Sequence, residues 1–543
     1  MAIDAITDAA DPRLEAVEAA VVAGDIGRAV MLAEQALAQG LRHPALFNLR
    51  AFKAEQAGRL EAALADLQSA LALAPDDASI LNALGIAYTG LERNIEAVEA
   101  LRRATTIAPN FPQAWNNRGL AEQACGDLAA AKASFEHAAA LAPAFAEPRG
   151  RLALFAARRG ALDEARRWAQ ATLAIRPNQS EAVRALAQAD LAESRAAEAE
   201  SRLRSFLQDP QQGPIARAYA HGMLGDALDR QDRVAEAFEA YLTANATLRE
   251  CYAPQFGRSG ILDQLEAVRD MFAATWPRGV EADEPDEPSP ARQHIFLIGF
   301  MRLGTTLMEQ VLAAQPDAVG LEEKEVLTSG VMAYLRRPDD LRRLAAAPPS
   351  ELAAHRADYW ARVRAHGVEP EGKVFVDKMP FDGFRLPLIH KLFPKAKIVL
   401  AIRDPRDVVF SCFRHRFAVT TYTYELLTLA SAVRLYDLFM SSVEVFDARL
   451  PIAMHRYRHE DLVDDFDGQV RALCDFLETP WRESMRDIGA RARGGLVTSP
   501  SAPQLLGGLS RQGLQQWRRY AAQLEPHLGG LGHWVRKLGY DPA

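Results

Sequence analysis

Pro75, Pro109, Pro143 and Pro177 stand 34 residues apart. Gly24, Gly58, Gly126 and Gly160 keep a second 34-residue register, with Glu92 at the one position where glycine is missing. Both residue types interrupt helices. Proline lacks the amide hydrogen that a helix interior needs, and glycine leaves the right-handed region without steric cost. Alanine-rich amphipathic runs fill the intervals. Two interlocked registers of breakers with such runs between them predict a helix–turn–helix unit repeated along the chain.

The clearest unit starts at Pro112, with Trp115 and Gly119 on its first helix and Ala131, Phe135 and Ala138 on its second. The unit before it carries Leu81, Gly85, Tyr88, Ala97, Leu101 and Ala104 at the corresponding places. The glycines and small alanines allow close helix approach, large residues fill the layers, and proline closes the second helix. In length and at most signature positions this resembles the tetratricopeptide repeat (TPR). Units are clear over about 11–178, and degenerate ones extend to about 247. The resemblance implies an all-α superhelix with a concave groove, because one repeat cannot bury its apolar face alone. Asn82 and Asn116 occupy equivalent positions. One reading has them bonding an extended peptide in that groove, and another leaves them as solvated polar positions. Arg249 to Trp276 still reads as helical, so the helical domain spans 1–276.

Residues 277–291 follow, an acidic proline-rich stretch with little to bury, read as a linker. Across it the charge balance changes. The formal net charge of the whole chain is −8, yet residues 292–543 hold 34 basic and 30 acidic residues, a net of +4. An acidic chain of this kind does not coat nucleic acid. Cys125, Cys251, Cys412 and Cys474 show no metal-ligand spacing, and no metal is expected. The first residues lack a basic segment followed by an apolar run, and no stretch is apolar enough to span a bilayer. With the alanine- and arginine-rich composition, these features point to a bacterial cytoplasmic setting.

In the second half, residues 294–300 read as a buried parallel strand. Gly299-x-x-x-x-Gly304-Thr305-Thr306 follows, then a helix over 307–314. Strand, glycine-bounded loop and helix form a phosphate cradle of backbone N–H groups and hydroxyls. The spacing is that of a P-loop, but Thr305 stands where a kinase or nucleoside triphosphatase has the lysine that reaches the β- and γ-phosphates. Arg302 supplies a cation instead. A second strand, 398–402, leads into Arg403-Asp-Pro-Arg and on to Ser411. Ligands bind outside the carboxyl ends of strands in open α/β sheets, so both loops are expected to face one crevice. Arg403 and Ser411 then hold a second phosphate. The other reading of Arg403 is an ion pair with Asp404 or Asp407 that only shapes the turn.

These motifs, in this order, resemble the sulfotransferase family, and in particular the tyrosylprotein sulfotransferases and bacterial TPR–sulfotransferase fusions. Family members carry Pro-Arg-Ser-Gly-Thr-Thr where this chain has Met301-Arg302-Leu303-Gly304-Thr305-Thr306, and Arg-Asp-Pro-Arg with a serine eight residues after the first arginine. The resemblance covers about 293–541 and implies an α/β P-loop-like domain with a parallel sheet over 292–543. It also implies transfer of a sulfuryl group from 3′-phosphoadenosine 5′-phosphosulfate (PAPS). Carried over residue by residue, Arg302, Leu303, Gly304, Thr305 and Thr306 hold the 5′-phosphosulfate, while Arg403 and Ser411 hold the 3′-phosphate.

Glu323 matches the family's catalytic glutamate, and Lys378, in Asp377-Lys378-Met379-Pro380 at the end of a third short strand, Val374-Phe-Val, matches a lysine that stabilises the leaving group. Without the resemblance, Glu323 would read as a solvated helix start and Lys378 as a surface residue. His459 takes the place of a family tyrosine in Tyr457-Arg-His-Glu-Asp-Leu, and Ser510 or Arg511 lies in a segment that often closes over the cosubstrate. Leu303 replaces a serine, and Met301 a proline that would stiffen the loop entry. The expected function is sulfuryl transfer to an acceptor hydroxyl, on a protein or peptide tyrosine presented by the TPR array. The alternative, motivated by Leu303, is a catalytically weak or inactive domain on a TPR scaffold that binds proteins.

Overall fold

A computed structural model of the chain describes residues 11–91, 93–277, 287–488 and 509–542. Residues 278–286, most of the proline-rich stretch, lie outside the described residues. The chain divides into two compact units, 1–193 and 194–543.

The first unit is built of helical hairpins. Pro12–Val22 pairs with Ile26–Ala38, Pro44–Gln56 with Leu60–Leu73, Ala78–Gly90 with Asn94–Ile107, Pro112–Ala124 with Leu128–Leu141, and Ala146–Arg158 with Leu162–Ile175. The starts follow local rules. Asp77 accepts the Ser79 and Ile80 amides, Asp127 accepts that of Ala130, and proline opens the helices at 44 and 112. The repeat glycines mark close approach. A Cβ built on Gly85 would lie 2.3 Å from Leu101, and one on Gly119 would lie 2.6 Å from the Phe135 ring.

The second unit begins with four helices, Ala196–Leu207, Pro214–Asp229, Val234–Phe256 and Ile261–Thr275. The middle two keep the repeat's contact, for a Cβ on Gly225 would lie 2.4 Å from the Tyr241 ring. The glycine and its large partner are again 16 residues apart, as in Gly85–Leu101 and Gly119–Phe135. This hairpin packs on the α/β part of its own unit. The buried Asn245 side chain donates to the Phe413 carbonyl at 2.7 Å, and Asp229 accepts from the Tyr520 hydroxyl at 2.6 Å and from Arg519 at 2.9 Å. Asp226 pairs with Arg416.

Five parallel strands follow: β1 (Gln293–Ile298), β2 (Ala318–Glu322), β3 (Val374–Lys378), β4 (Lys397–Ile402) and β5 (Ala453–Arg458), in spatial order β2-β3-β1-β4-β5. The predicted strands are the three central ones, whose side chains are almost wholly buried. The edge strands β2 and β5 carry no such apolar run, because each has one neighbour and one open side. β1 stops at Ile298, short of the predicted 300, and the loop helix starts at Thr305 rather than 307. β3 runs through Lys378, which lies in register with both Glu322 and Leu297. The chain leaves β1 to one side for β2 and β3, then to the other for β4 and β5. The carboxyl ends of β1 and β4 therefore flank the topological switch point.

Candidate active site

The loop after β1 carries two left-handed residues, Arg302 at φ 67° and Gly304 at φ 86°. Gly304 has no alternative, since a Cβ there would lie 2.5 Å from His459 Nδ1. Leu303 turns inward. It is 1% exposed, and its Cδ1 would lie 2.9 Å from a Cβ on Gly299. The residue in the family's serine place thus fills the core beneath the loop and offers the cradle only its backbone. Thr305 and Thr306 open the helix Thr305–Leu312, where amide groups point outward without intrahelical partners.

The loop after β4 meets this cradle. Arg403 donates to the Arg302 carbonyl at 3.1 Å, and Arg302 Nε donates to Ser411 Oγ at 3.3 Å. The expectation that both loops face one crevice matches this geometry. Burial lowers the Arg302 pKa to about 10, so its guanidinium stays charged at neutral pH. Of the two partners considered for Arg403, Asp407 lies 3.8 Å away. Asp404 instead takes Arg406, at 2.8 and 3.0 Å. Asp407 also accepts the amides of Gln515 and Trp517, at 2.6 and 2.9 Å, and Arg403 donates to the Gly513 carbonyl. The C-terminal segment is therefore fastened to the β4 loop. Arg511 points elsewhere, to Asp464 at 2.5 Å.

Two polar atoms here are buried without a hydrogen bond among the described residues, Arg403 Nε and His459 Nδ1. Burial drives the His459 pKa down to about 3, so the ring is neutral. Buried polar groups are normally satisfied. A cradle of helix-start amides, two hydroxyls, Arg302, and Arg403 with its unspent Nε–H matches a polyanion, and phosphate and sulfate groups fit it.

On the other side of β1, Lys378 is wholly buried and surrounded by carboxylates. Its ammonium lies 2.8 Å from Glu323, 3.0 Å from Glu322 and 3.5 Å from Glu309. Burial alone would lower its pKa, but Glu309, Glu323 and Glu322 outweigh that and raise it. Glu323 has φ 51°, its amide donates to the Lys378 carbonyl at 2.8 Å, and its side chain remains 40% exposed. Phe381, just beyond Lys378, has φ 71° and donates its amide to the Gly299 carbonyl at 3.0 Å. Three non-glycine residues at the crevice thus hold a sparsely populated backbone conformation, the pattern of strain kept at functional sites.

Sequence reasoning singled out Glu323 and Lys378 but passed over Glu309, which lies inside a helix otherwise read as apolar. Burial pushes its pKa up to about 8. The available signal was one carboxylate in an apolar run with no basic residue three or four positions away. In the first unit, Asn116 is buried, and its amide and that of Asn117 make a ladder to Asn82, at 3.4 and 2.9 Å.

Residues 294–483 match a model of the sulfotransferase family, and residues 56–92, 78–111 and 112–145 match models of the TPR. An uncharacterized protein of Aquifex aeolicus (strain VF5) is 24% identical over 352 residues, 62% of this chain and 44% of that protein. Protein-tyrosine sulfotransferase 1 of Danio rerio is 27% identical over 267 residues, 46% of this chain and 72% of that protein. The chain thus spans less than half the length of the first of these relatives. A crystal structure of a TPR protein from Parabacteroides merdae ATCC 43184 aligns with a TM-score of 0.37 and 18% identity, covering 44% of this chain and 92% of that one. With helical hairpins that match one family and a parallel-sheet domain that matches the other, the chain is a TPR-containing, sulfotransferase-like protein.

Proposed function

We propose that the chain transfers a sulfuryl group from PAPS to an acceptor hydroxyl, a protein or peptide tyrosine brought to the enzyme by the TPR array. One observation carries the reading: the two loops join through Arg302, Arg403 and Ser411 beside the ion pair of the buried Lys378 with the more exposed Glu323. The similarity to protein-tyrosine sulfotransferases over 46% of the chain supports it.

In this reading Arg302, Leu303, Gly304, Thr305 and Thr306 hold the 5′-phosphosulfate, Leu303 through its backbone. Arg403 and Ser411 hold the 3′-phosphate, and the unspent Arg403 Nε–H supplies a donor. When bound, PAPS supplies an activated sulfuryl group whose departing phosphate oxygen gains negative charge. Lys378 stabilises that charge. Glu323, the most exposed of the three carboxylates, accepts the acceptor's proton. Electrostatic preorganisation of this kind is the main lever in group transfer to and from phosphate. The TPR groove is the proposed acceptor-docking surface, with Asn82 and Asn116 as candidate contacts.

The test is conversion of PAPS to 3′-phosphoadenosine 5′-phosphate (PAP) in the presence of a tyrosine-peptide library, read by intact mass for an added sulfate. Turnover with micromolar PAP binding is expected. A chain that neither binds PAP nor consumes PAPS contradicts the reading and favours a protein-binding scaffold.

A further inference from the structure

Glu309 lies on the helix that the phosphate loop opens, five residues beyond Gly304. Its side chain is 11% exposed, against 40% for Glu323. It is therefore shut away from an acceptor, and the basic group in reach is Lys378, 3.5 Å away. A buried carboxylic acid beside a buried ammonium is costly unless the arrangement is used.

An ammonium has three N–H donors, and three carboxyl groups surround this one. Glu322 and Glu323 approach from the end of β2, and Glu309 approaches from the loop helix. The separation of 3.5 Å exceeds that of a strong charge-assisted hydrogen bond. Glu309 therefore steers Lys378 without locking it. Glu323 bonds Lys378 through one oxygen, and when it takes a proton its charge is neutralised and its pull on the ammonium weakens, while Glu322 and Glu309 remain beside it.

We propose that Glu309 is a positioning residue that holds Lys378 to the phosphate-loop helix, keeping its ammonium aimed at the leaving group while Glu323 engages the acceptor. This rests on the sulfotransfer reading. At neutral pH, burial keeps Glu309 largely protonated, with a pKa of about 8. In that form its carbonyl oxygen guides the ammonium; when ionised it draws the ammonium back. The charged groups acting on it are Lys378 on β3 and Glu322 and Glu323 at the end of β2.

Two measurements on the full chain test this. The first is NMR of lysine labelled with 13C at Cε, with no nucleotide added. The Lys378 signal should show a titration step near pH 8 that disappears in Glu309→Gln. A wild-type signal without the step overturns the proposal. The second is PAPS turnover. Glu309→Leu, of similar volume, should lower kcat at least tenfold with the KM for PAPS within threefold. Glu309→Gln, which keeps an acceptor oxygen, should hold kcat within about threefold at pH 7 and lose any decline above pH 8. Unchanged kcat in Glu309→Leu, or a loss confined to KM, overturns the proposal. Should Glu309→Leu fail to fold, the titration and the Glu309→Gln profile still decide. If the wild type consumes no PAPS, the sulfotransfer reading falls, and the NMR titration alone judges whether Glu309 governs the ammonium.

Discussion

The Lys378 ammonium lies 2.8 Å from the Glu323 carboxylate across 55 residues of sequence. The two sit at neighbouring strand ends, and the Glu323 amide bonds back to the Lys378 carbonyl. Replacing Lys378 with Met strips the cation from three carboxyl groups. Breaking a buried ion pair from one side costs about 3–5 kcal/mol. Urea unfolding of Lys378→Met should show a loss of that order, and PAPS turnover should disappear. Turnover at the wild-type rate contradicts the assigned role.

Gly304→Ala meets two obstacles, a left-handed φ of 86° and the His459 ring 2.5 Å from the new Cβ. PAP affinity, measured by calorimetry, should fall at least tenfold. Adding His459→Ala relieves the clash but not the backbone strain, which costs about 1–2 kcal/mol. The double variant should recover only part of the affinity. Complete recovery would show that the ring alone matters.

Arg403 and Ser411 can be separated from the first loop by the choice of nucleotide. Arg403→Ala should weaken PAP at least tenfold and leave adenosine 5′-phosphate, which lacks the 3′-phosphate, nearly unchanged. Ser411→Ala should lose less, as fits one hydrogen bond to a charged group at about 1.5–3 kcal/mol. Equal losses for both nucleotides would move the 3′-phosphate elsewhere.

In the first unit, Gly119→Ala drives a methyl group to 2.6 Å from the Phe135 ring. Overpacking of this kind costs about 1–3 kcal/mol, and calorimetric melting should show it. Phe135→Leu in the same chain should restore part of the loss. PAP binding should not change, because neither residue belongs to the cradle.

His294, on β1, is buried with Nε2 at 2.9 Å from the Tyr359 hydroxyl, which donates to Asp377 at 2.7 Å. Burial drives the His294 pKa down to about 3, whereas an unfolded imidazole titrates near about 6.5. Below that value the unfolded chain takes up a proton that the native chain refuses. The stability contribution is full above about pH 6.5 and is lost as the pH falls towards the native pKa. Between pH 6.5 and pH 5 the loss is about 2 kcal/mol. Urea midpoints should fall over that range, and His294→Gln should flatten the fall.

The sheet shows why some parts were legible in the sequence and others were not. β1, β3 and β4 are buried on both faces, so each announces itself as an apolar run. β2 and β5 are edges, and their mixed residues carry no such signature. Lys378 was placed correctly at a strand end, but its three carboxyl neighbours were not visible, because they come from two distant segments. Leu303 looked like a defect in an anion loop. Its inward turn, packed near Gly299, became apparent only when the loop's path was known.

The sequence by itself determined the 34-residue hairpin register, the paired glycines and large residues, and the loops after β1 and β4 with their strands. These depend on contacts a few residues apart, or on spacings that repeat, and local chemistry encodes both. Tertiary structure alone decided that the Pro214–Asp229 and Val234–Phe256 hairpin packs with the α/β part of its unit, and that Arg302 meets Ser411 109 residues away. It also decided that Glu309 and Glu323 share one ammonium. Such pairs form because the order of strands in the sheet brings distant segments to one crevice, and no local periodicity records that order.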